Sequence, residues 1–434
     1  MTPRAPLILV VAILASLTGC GEGASSSSSA SNADAGSLVA DAGSLVVDAS
    51  TAPLTDGGSV TDAGSDLSDS SDAADAADAG LTDSASTRTT VRVHYPRTTH
   101  SLTIRGASAP LSWTQSAATT PAADGWTWSS DNLTSASDFK PMLDDAAWSL
   151  GANYRVAPGE TVDIYPRFQS AAGSYSIRWP SFASATLGRS RKVWVYLPPG
   201  YTENTEARYP VVYMHDGQNL FDRNAPFGYW HADETLDEGA ANSTIRESIV
   251  VGPEAGNNRM TDYTPSFDAS EGSGGGAAAY VTSLVTELKP FVDRELRTLP
   301  GRETTAMIGS SLGGLVTAWT SVHHASTFGS CGLMSPSTWW DNTMILREVS
   351  TLPSQATRPF RMYVDSGNAG PSLDDNVNTA LLASRYRSAG YVDGRDFLYV
   401  LAAGHQHSES YWAQRLPRAL RFLVGARPHT GALP

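Results

Sequence analysis

From residue 192 to the end of the chain, short apolar runs alternate with longer stretches whose apolar residues recur at helical spacing. The runs Val193–Leu197, Val211–Met214, Ile249–Gly252, Thr305–Gly309, Gly332–Met334, Met362–Val364 and Phe397–Leu401 have strand length and composition. Between them, Tyr280, Leu284, Val285 and Leu288, and later Leu416, Leu420 and Leu423, follow helical spacing. This alternation predicts an α/β fold, a mostly parallel sheet with helices on both faces. Ligand sites in such sheets form beyond the carboxyl ends of the strands, so the residues just after each run are the candidates.

The amino terminus is of another kind. Arg4 precedes an apolar run from Pro6 to Leu17 that ends in Leu17-Thr-Gly-Cys20, a signal-peptide pattern with a lipobox over residues 1–20. About a dozen apolar residues are too few to cross a bilayer core of ~30 Å. The segment is therefore expected to be removed, with lipid on Cys20 as the sole membrane attachment. Gly21, where an aspartate would favour the inner membrane, makes the chain similar to outer-membrane lipoproteins, so the expected location is the cell envelope. Residues 21–87 contain eleven Asp, one Glu, no Lys or Arg and no aromatic residue. With nothing to bury, this stretch is expected to be a disordered Ser/Ala/Asp-rich linker, kept extended by like charge. Its twelve carboxylates account for most of the net charge of −14. The remainder is close to neutral, which argues against a nucleic-acid partner.

Residues 88–189 carry strand-like pieces, Val91–His94, Leu102–Arg105 and Thr161–Tyr165, separated by Gly, Pro, Asn and Asp, and predict a small all-β sandwich ahead of the α/β part. Arg105-Gly-Ala-Ser-Ala-Pro-Leu-Ser-Trp113, Gly125-Trp-Thr-Trp128 and Phe139-Lys140 to Trp148 resemble starch-binding-type modules. A carbohydrate-binding role for Trp113, Trp126, Trp128 and Trp148 is the corresponding expectation.

Once Cys20 is assigned to lipid, Cys331 is the one remaining thiol, so neither an intrachain disulfide nor a cysteine-based metal site is available. Cys331 lies in the apolar run Gly329–Met334 and reads as a packing residue. No metal or organic cofactor is implied.

Directly after the strand at Thr305 comes Gly309-Ser-Ser311-Leu-Gly313-Gly314, followed by a helix-compatible run from Leu315. This is G-x-S-x-G in a strand-turn-helix setting, where a sharp turn exposes a nucleophile and needs neighbours without side chains. Such a turn points the Leu312 amide at a developing oxyanion, and the helix N-terminus adds positive potential. A serine hydroxyl needs a base, which in this setting comes last in chain order. His405 and His407 both follow the last strand, and spacing alone does not choose between them.

Tyr209–Asp222, Arg259–Pro265, Gly309–Gly314, Ser335–Trp340 and His407-Ser-Glu-Ser-Tyr-Trp412 form a distinctive set of segments. Together they resemble the esterase D-like family, which includes feruloyl, acetyl-xylan and enterochelin esterases, S-formylglutathione hydrolase and mycolyltransferases. The resemblance spans residues 190–425, leaving 426–434 as a tail, and implies the α/β-hydrolase fold. The family's His, with Glu two and Trp five residues later, falls on His407, Glu409 and Trp412, which prefers His407 as the base. The second oxyanion amide falls on Gln218, and two such donors would each contribute about 3 kcal/mol. His215, Asp216 and Asn219 either act beside it or only shape its loop.

The triad acid departs from the family pattern, because the usual position is occupied by Gly370. Asp374 and Asp375, with Asp365 as a third, remain candidates, one of the adjacent pair being expected to cap a helix. Trp230, Trp339 and Trp340 are candidates for substrate-pocket walls, and Arg259 for substrate contact or loop bracing. The implied activity is that of a serine carboxylesterase acting through an acyl-enzyme on a small-molecule or polysaccharide-linked (feruloyl or acetyl) ester. Acyl transfer to a sugar or hydrolysis of a siderophore lactone is the alternative within this chemistry. A surface-binding lipoprotein with a relict triad is the alternative from another class.

Overall fold

The computed structural model describes residues 88–97, 99–352 and 357–430. The signal-peptide segment with Cys20, the Asp-rich linker and the last four residues of the tail lie outside the described residues.

Eight strands form one large sheet: β1 (Ser174–Ser184), β2 (Arg189–Leu197), β3 (Val211–Met214), β4 (Ile249–Pro253), β5 (Thr305–Ser311), β6 (Ser330–Pro336), β7 (Arg361–Gly367) and β8 (Phe397–Ala402). Their order across the sheet is β1-β2-β4-β3-β5-β6-β7-β8. β1 with β2 and β2 with β4 run antiparallel, and every later pairing is parallel. The central strands are buried on both faces, which is why they read as continuous apolar runs.

Alternate residues of these strands serve two cores. Val211, Tyr213, Ile249, Val251, Met307 and Leu333 pack with Tyr280, Leu284, Leu315, Ile345 and Leu382. Those residues lie on α2 (Ala277–Ser283, continuing through a π turn into Lys289–Glu295), α3 (Leu312–His323), α4 (Trp340–Val349) and α5 (Asn376–Ser388). Val212, Met214, Val250, Ile308 and Met334 pack with Leu236, Leu416, Leu420 and Leu423, which belong to α1 (Ala232–Ala241) and α6 (Glu409–Val424). Strand periodicity of two thus sends one set of side chains to each helical layer. The fold is the α/β-hydrolase arrangement expected from the sequence.

β1 is a correction to the expected boundary at residue 190, since Ser174–Ser184 belongs to the large sheet and not to the segment before it. It is an edge strand, largely exposed and interrupted by register shifts around Trp179, so it lacks the apolar signature of the inner strands.

The preceding residues form two smaller sheets. One contains Thr120–Ala122, Gly125–Ser130, Thr89–Val93 and Thr161–Ile164, and the other contains Ala117–Ala118, Leu102–Gly106, Ser137–Leu143, Ala147–Trp148 and Tyr154–Val156. Val91, Val93, Ile104, Phe139, Val156 and Val162 share one core between them. Polar contacts tie this segment to the connections around the large sheet: Arg427, itself paired with Glu247, donates to the Leu150 carbonyl at 3.1 Å, and Asn204 donates to the carbonyls of His94 and Pro166.

Candidate active site

β5 ends in Ser311 and α3 starts at Leu312, with no intervening loop. Ser311 is held at φ 57°, ψ −125°, a conformation that non-glycine residues rarely adopt. The glycines around it are required by contact. A Cβ on Gly309 would lie 2.4 Å from the Gly313 carbonyl oxygen, and one on Gly314 would lie 2.9 Å from Pro336 Cα. The Leu312 amide is in the first turn of α3, where no carbonyl of that helix can reach it.

The loop after β3 supplies the facing wall. Asp216 is in the left-handed region at φ 58° and leads into a short 3-10 turn, Gly217–Asn219. The bonds of that turn begin at the Asn219 amide, so the Gln218 N–H lies outside its ladder. Arg259 clamps Asp216 through two hydrogen bonds, Nε to Oδ1 at 2.8 Å and Nη2 to Oδ2 at 2.9 Å, and the Tyr263 hydroxyl lies 3.2 Å from the Asp216 amide. Of the two roles considered for Arg259, the geometry supports loop bracing. His215 packs beneath the elbow, within reach of any Cβ placed on Gly309 or Gly313, and its Nδ1 is 2.9 Å from the Tyr280 hydroxyl. Burial pushes His215 down to about 3, so it is a neutral packing group.

The two histidines separate clearly. His407 Nδ1 lies 2.6 Å from Asp374 Oδ1, and its ring meets Trp412 edge-on at 5.0 Å. His405 Nδ1 instead accepts from Arg415 Nη1 at 3.3 Å; its own burial and then this cation hold it below the usual histidine range.

The three aspartates separate as well. Asp374 is fully buried, and although burial opposes ionisation, hydrogen bonds from His407, the Ser335 hydroxyl and the Gly367 amide hold its carboxyl below the ordinary range. Asp375 is at the N-cap of α5, where its carboxylate accepts from Asn378 Nδ2 at 2.7 Å and from the Trp339 amide at 3.1 Å. Burial pushes Asp375 up to about 6. Asp365 is buried beneath both, with Tyr363 and Arg415 as partners. Asp374 is thus the candidate carboxylate that meets a candidate histidine.

A continuous set of contacts joins these elements. Ser311 Oγ is 3.3 Å from Ser337 Oγ, and the Ser337 amide donates to the Ser311 carbonyl at 3.0 Å. Two residues earlier, Ser335 Oγ donates to Asp374 at 2.6 Å. Asn219 Nδ2 donates to Glu409 Oε1 at 3.2 Å, tying the Gln218 turn to the helix that follows His407.

The aromatic candidates divide. Trp230 and Trp340 are fully buried, Trp230 against Trp412 and Trp340 with its indole N–H on the Ser266 carbonyl, so neither walls an open pocket. Large flat side chains after a strand serve the core as readily as a ligand, and sequence does not separate the two. Trp339 is exposed, as is Phe227, and each lies in the segment that follows the carboxyl end of a parallel strand, Phe227 after β3 and Trp339 after β6.

Ser335 and Arg415 are functional candidates that sequence reasoning does not single out. Ser335 lies near the end of the strand beside the elbow strand, and Arg415 shares the buried stripe of α6 with Trp412, Leu416 and Leu420. A charge on an apolar stripe is the signal that points to Arg415.

Residues 184–423 match the family described as "Putative esterase". This stretch is more than half of the chain. The chain belongs to that esterase family. It is accordingly a carboxylic ester hydrolase. The esterase is 25% identical over 249 residues to the uncharacterized protein YbbA of Bacillus subtilis, across 56% of this chain and 95% of YbbA. It is 28% identical over 244 residues to an endo-1,4-beta-xylanase/feruloyl esterase of Xylanibacter ruminicola, across 54% of this chain and 30% of that protein. A ferulic acid esterase of known structure aligns with a TM-score of 0.46 at 21% identity, covering 59% of this chain and 99% of that one.

Proposed function

We propose that the esterase works through a covalent acyl-enzyme on Ser311. His407 takes the hydroxyl proton as Ser311 attacks the ester carbonyl, and the amides of Leu312 and Gln218 receive the oxyanion. His407 then protonates the leaving alcohol and activates the water that releases the acid. Asp374 holds the imidazole in the required tautomer and stabilises the imidazolium. The observation that carries this reading is the 2.6 Å contact of His407 Nδ1 with Asp374 Oδ1, at the sheet edge where a strained elbow presents Ser311.

The substrate we propose is a small ester on a phenolic acid or a carbohydrate, feruloyl or acetyl. The name of the Xylanibacter relative supports that class, and Trp339 and Phe227 are the exposed aromatics available to contact an acyl or alcohol group. Steady-state comparison of feruloyl, acetyl-xylan, siderophore-lactone and simple acyl esters tests it. The expected result is the highest kcat/KM on the feruloyl or acetylated-sugar substrate, and with an activated acetyl ester a burst of about one leaving alcohol per chain as Ser311 is acylated. A preference for the lactone by tenfold or more would reassign the substrate.

For the segment before the large sheet we propose polysaccharide binding. Trp113 and Trp148 are exposed, with ring centroids 6.1 Å apart and planes inclined at 56°, and are a pair of indoles on that segment that a sugar chain could contact. Trp128 is in the core and Trp126 packs against it, so those two are withdrawn from the binding set. Such a contact would raise the local concentration of esters near Ser311, and lipid on Cys20 would hold the assembly at the cell envelope. Retention of the purified protein on starch, xylan or cellulose should fall at least tenfold in Trp113→Ala and Trp148→Ala while ester turnover in solution is unchanged. Wild-type protein that passes through all three polymers unretained would end this reading.

A further inference from the structure

Beneath His407 and Asp374 lies a buried polar cluster that the two-step reaction does not require. Ser335 is fully buried near the end of β6, with φ 41°. Three groups converge on its hydroxyl oxygen: Arg415 Nη2 at 2.7 Å, Trp412 Nε1 at 3.0 Å and Asp374 Oδ2 at 2.6 Å. A guanidinium and an indole nitrogen can only donate, so these two fill both lone pairs of the oxygen. The single hydroxyl proton is then fixed on Asp374, and the rotor has no second choice.

Arg415 is also buried, and its charge faces a defined set of groups. Its Nε lies 3.1 Å from Asp365 Oδ2, close enough for a Coulombic pair although poorly aligned as a hydrogen bond. Its Nη2 is 3.8 Å from Asp374 Oδ2, and its Nη1 is on His405. Asp365 accepts in addition from the Tyr363 hydroxyl at 2.8 Å and the Ser335 amide at 3.1 Å, which favours its ionised form, while burial pushes its carboxyl upward. Around His407 the remaining charged and titratable groups are Glu409 on α6, itself raised by burial, with Asp216 and Arg259 behind it, and Asp375 beside Asp374.

Building on the assignment of Ser311, His407 and Asp374 above, we propose that Ser335, Arg415 and Asp365 are positioning residues. They lock one hydroxyl proton on the triad carboxylate and neutralise each other's charge, so that a single net negative charge faces the imidazolium formed in catalysis. A guanidinium keeps its charge in proteins, so removing Asp365 must leave a buried cation whose remaining carboxylate partner is the triad acid itself, 3.8 Å away. That cation opposes the imidazolium. Removing the Ser335 hydroxyl does the reverse, because the carboxylate loses a donor and attracts the imidazolium more strongly.

The acid limb of the kcat/KM profile, which reports titration of the base in free enzyme, gives opposite signs for these changes. In full-length protein, Asp365→Asn should move the limb to lower pH by about one unit, and Ser335→Ala should move it to higher pH. Asp365→Asn combined with Arg415→Gln should return the limb toward its wild-type position, since the charge is again balanced. Limbs that stay in place in all three variants while rates fall would overturn the proposal, as would shifts of a common sign. Should Asp365→Asn fail to fold, Ser335→Ala decides alone by its upward or absent shift. Labelling of wild-type protein with a fluorophosphonate separates the two levels: unlabelled Ser311 defeats the triad assignment itself, whereas labelled protein with unmoved limbs defeats only this one.

Discussion

Replacing Ser311 with alanine is expected to lower kcat on an activated acetyl ester by at least ~10⁴-fold while the protein stays folded, since the proposed mechanism needs the serine for reaction and not for shape. The elbow is shaped by Gly309, Gly313 and Gly314, whose missing side chains make room for backbone, His215 and Pro336. Alanine at φ 57° meets the same backbone cost as serine, and the side-chain interaction it gives up is the 3.3 Å approach of the hydroxyl to Ser337. Turnover measured beside thermal unfolding checks both halves. Residual activity above about 1% of wild type would remove Ser311 from the role of nucleophile.

The second large effect lies in the pairs of neighbours that sequence leaves side by side. His407→Ala should match Ser311→Ala in severity, whereas His405→Ala should lose no more than about tenfold, because His405 is engaged with Arg415 while His407 holds the contact with Asp374. Asp374→Asn should cost on the order of 10²- to 10⁴-fold in kcat, since an amide nitrogen in place of Oδ1 meets the N–H of the imidazole or forces the other tautomer. Asp375→Asn should be nearly silent. Its side chain makes no capping bond to α5; one oxygen accepts from the Trp339 amide, which an amide oxygen can continue to do, and the other accepts from the Asn378 side-chain amide, which can turn over to accept from the new NH2. Steady-state kinetics on the four variants decides it. A severe Asp375→Asn beside a mild Asp374→Asn would reverse the assignment.

Much of the fold is legible in the sequence because its strands are central. Val211–Met214 and Ile249–Pro253 are buried on both faces and leave unbroken apolar runs, and the helix after each run carries its own stripe. β1 is not legible, since an exposed edge strand with register shifts has neither a continuous run nor clean alternation. The elbow is legible for a different reason: close backbone contact forces glycine at fixed offsets from Ser311, and sequence records that directly.

Asp374 cannot be told from Asp375 in sequence, because the three successive residues Leu373, Asp374 and Asp375 all take positive φ there. In that loop no simple periodicity relates position to direction. Trp230 and Trp340 mislead for a general reason, as an indole buried in the core and one lining a pocket have the same sequence signature. Arg415 is hidden inside a helix that otherwise reads as amphipathic, its charge matched by Asp365, which lies fifty residues away in the chain.

The most direct test of the proposed chemistry is to incubate the purified protein with a fluorophosphonate, digest it and locate the adduct by mass spectrometry. The expected result is one phosphonyl group per chain, on Ser311, formed faster as pH rises through the acid limb and absent from Ser311→Ala and His407→Ala over the same time. An unlabelled protein that nevertheless hydrolyses esters, or an adduct on Ser310 or Ser337 in its place, would contradict an acyl-enzyme on Ser311.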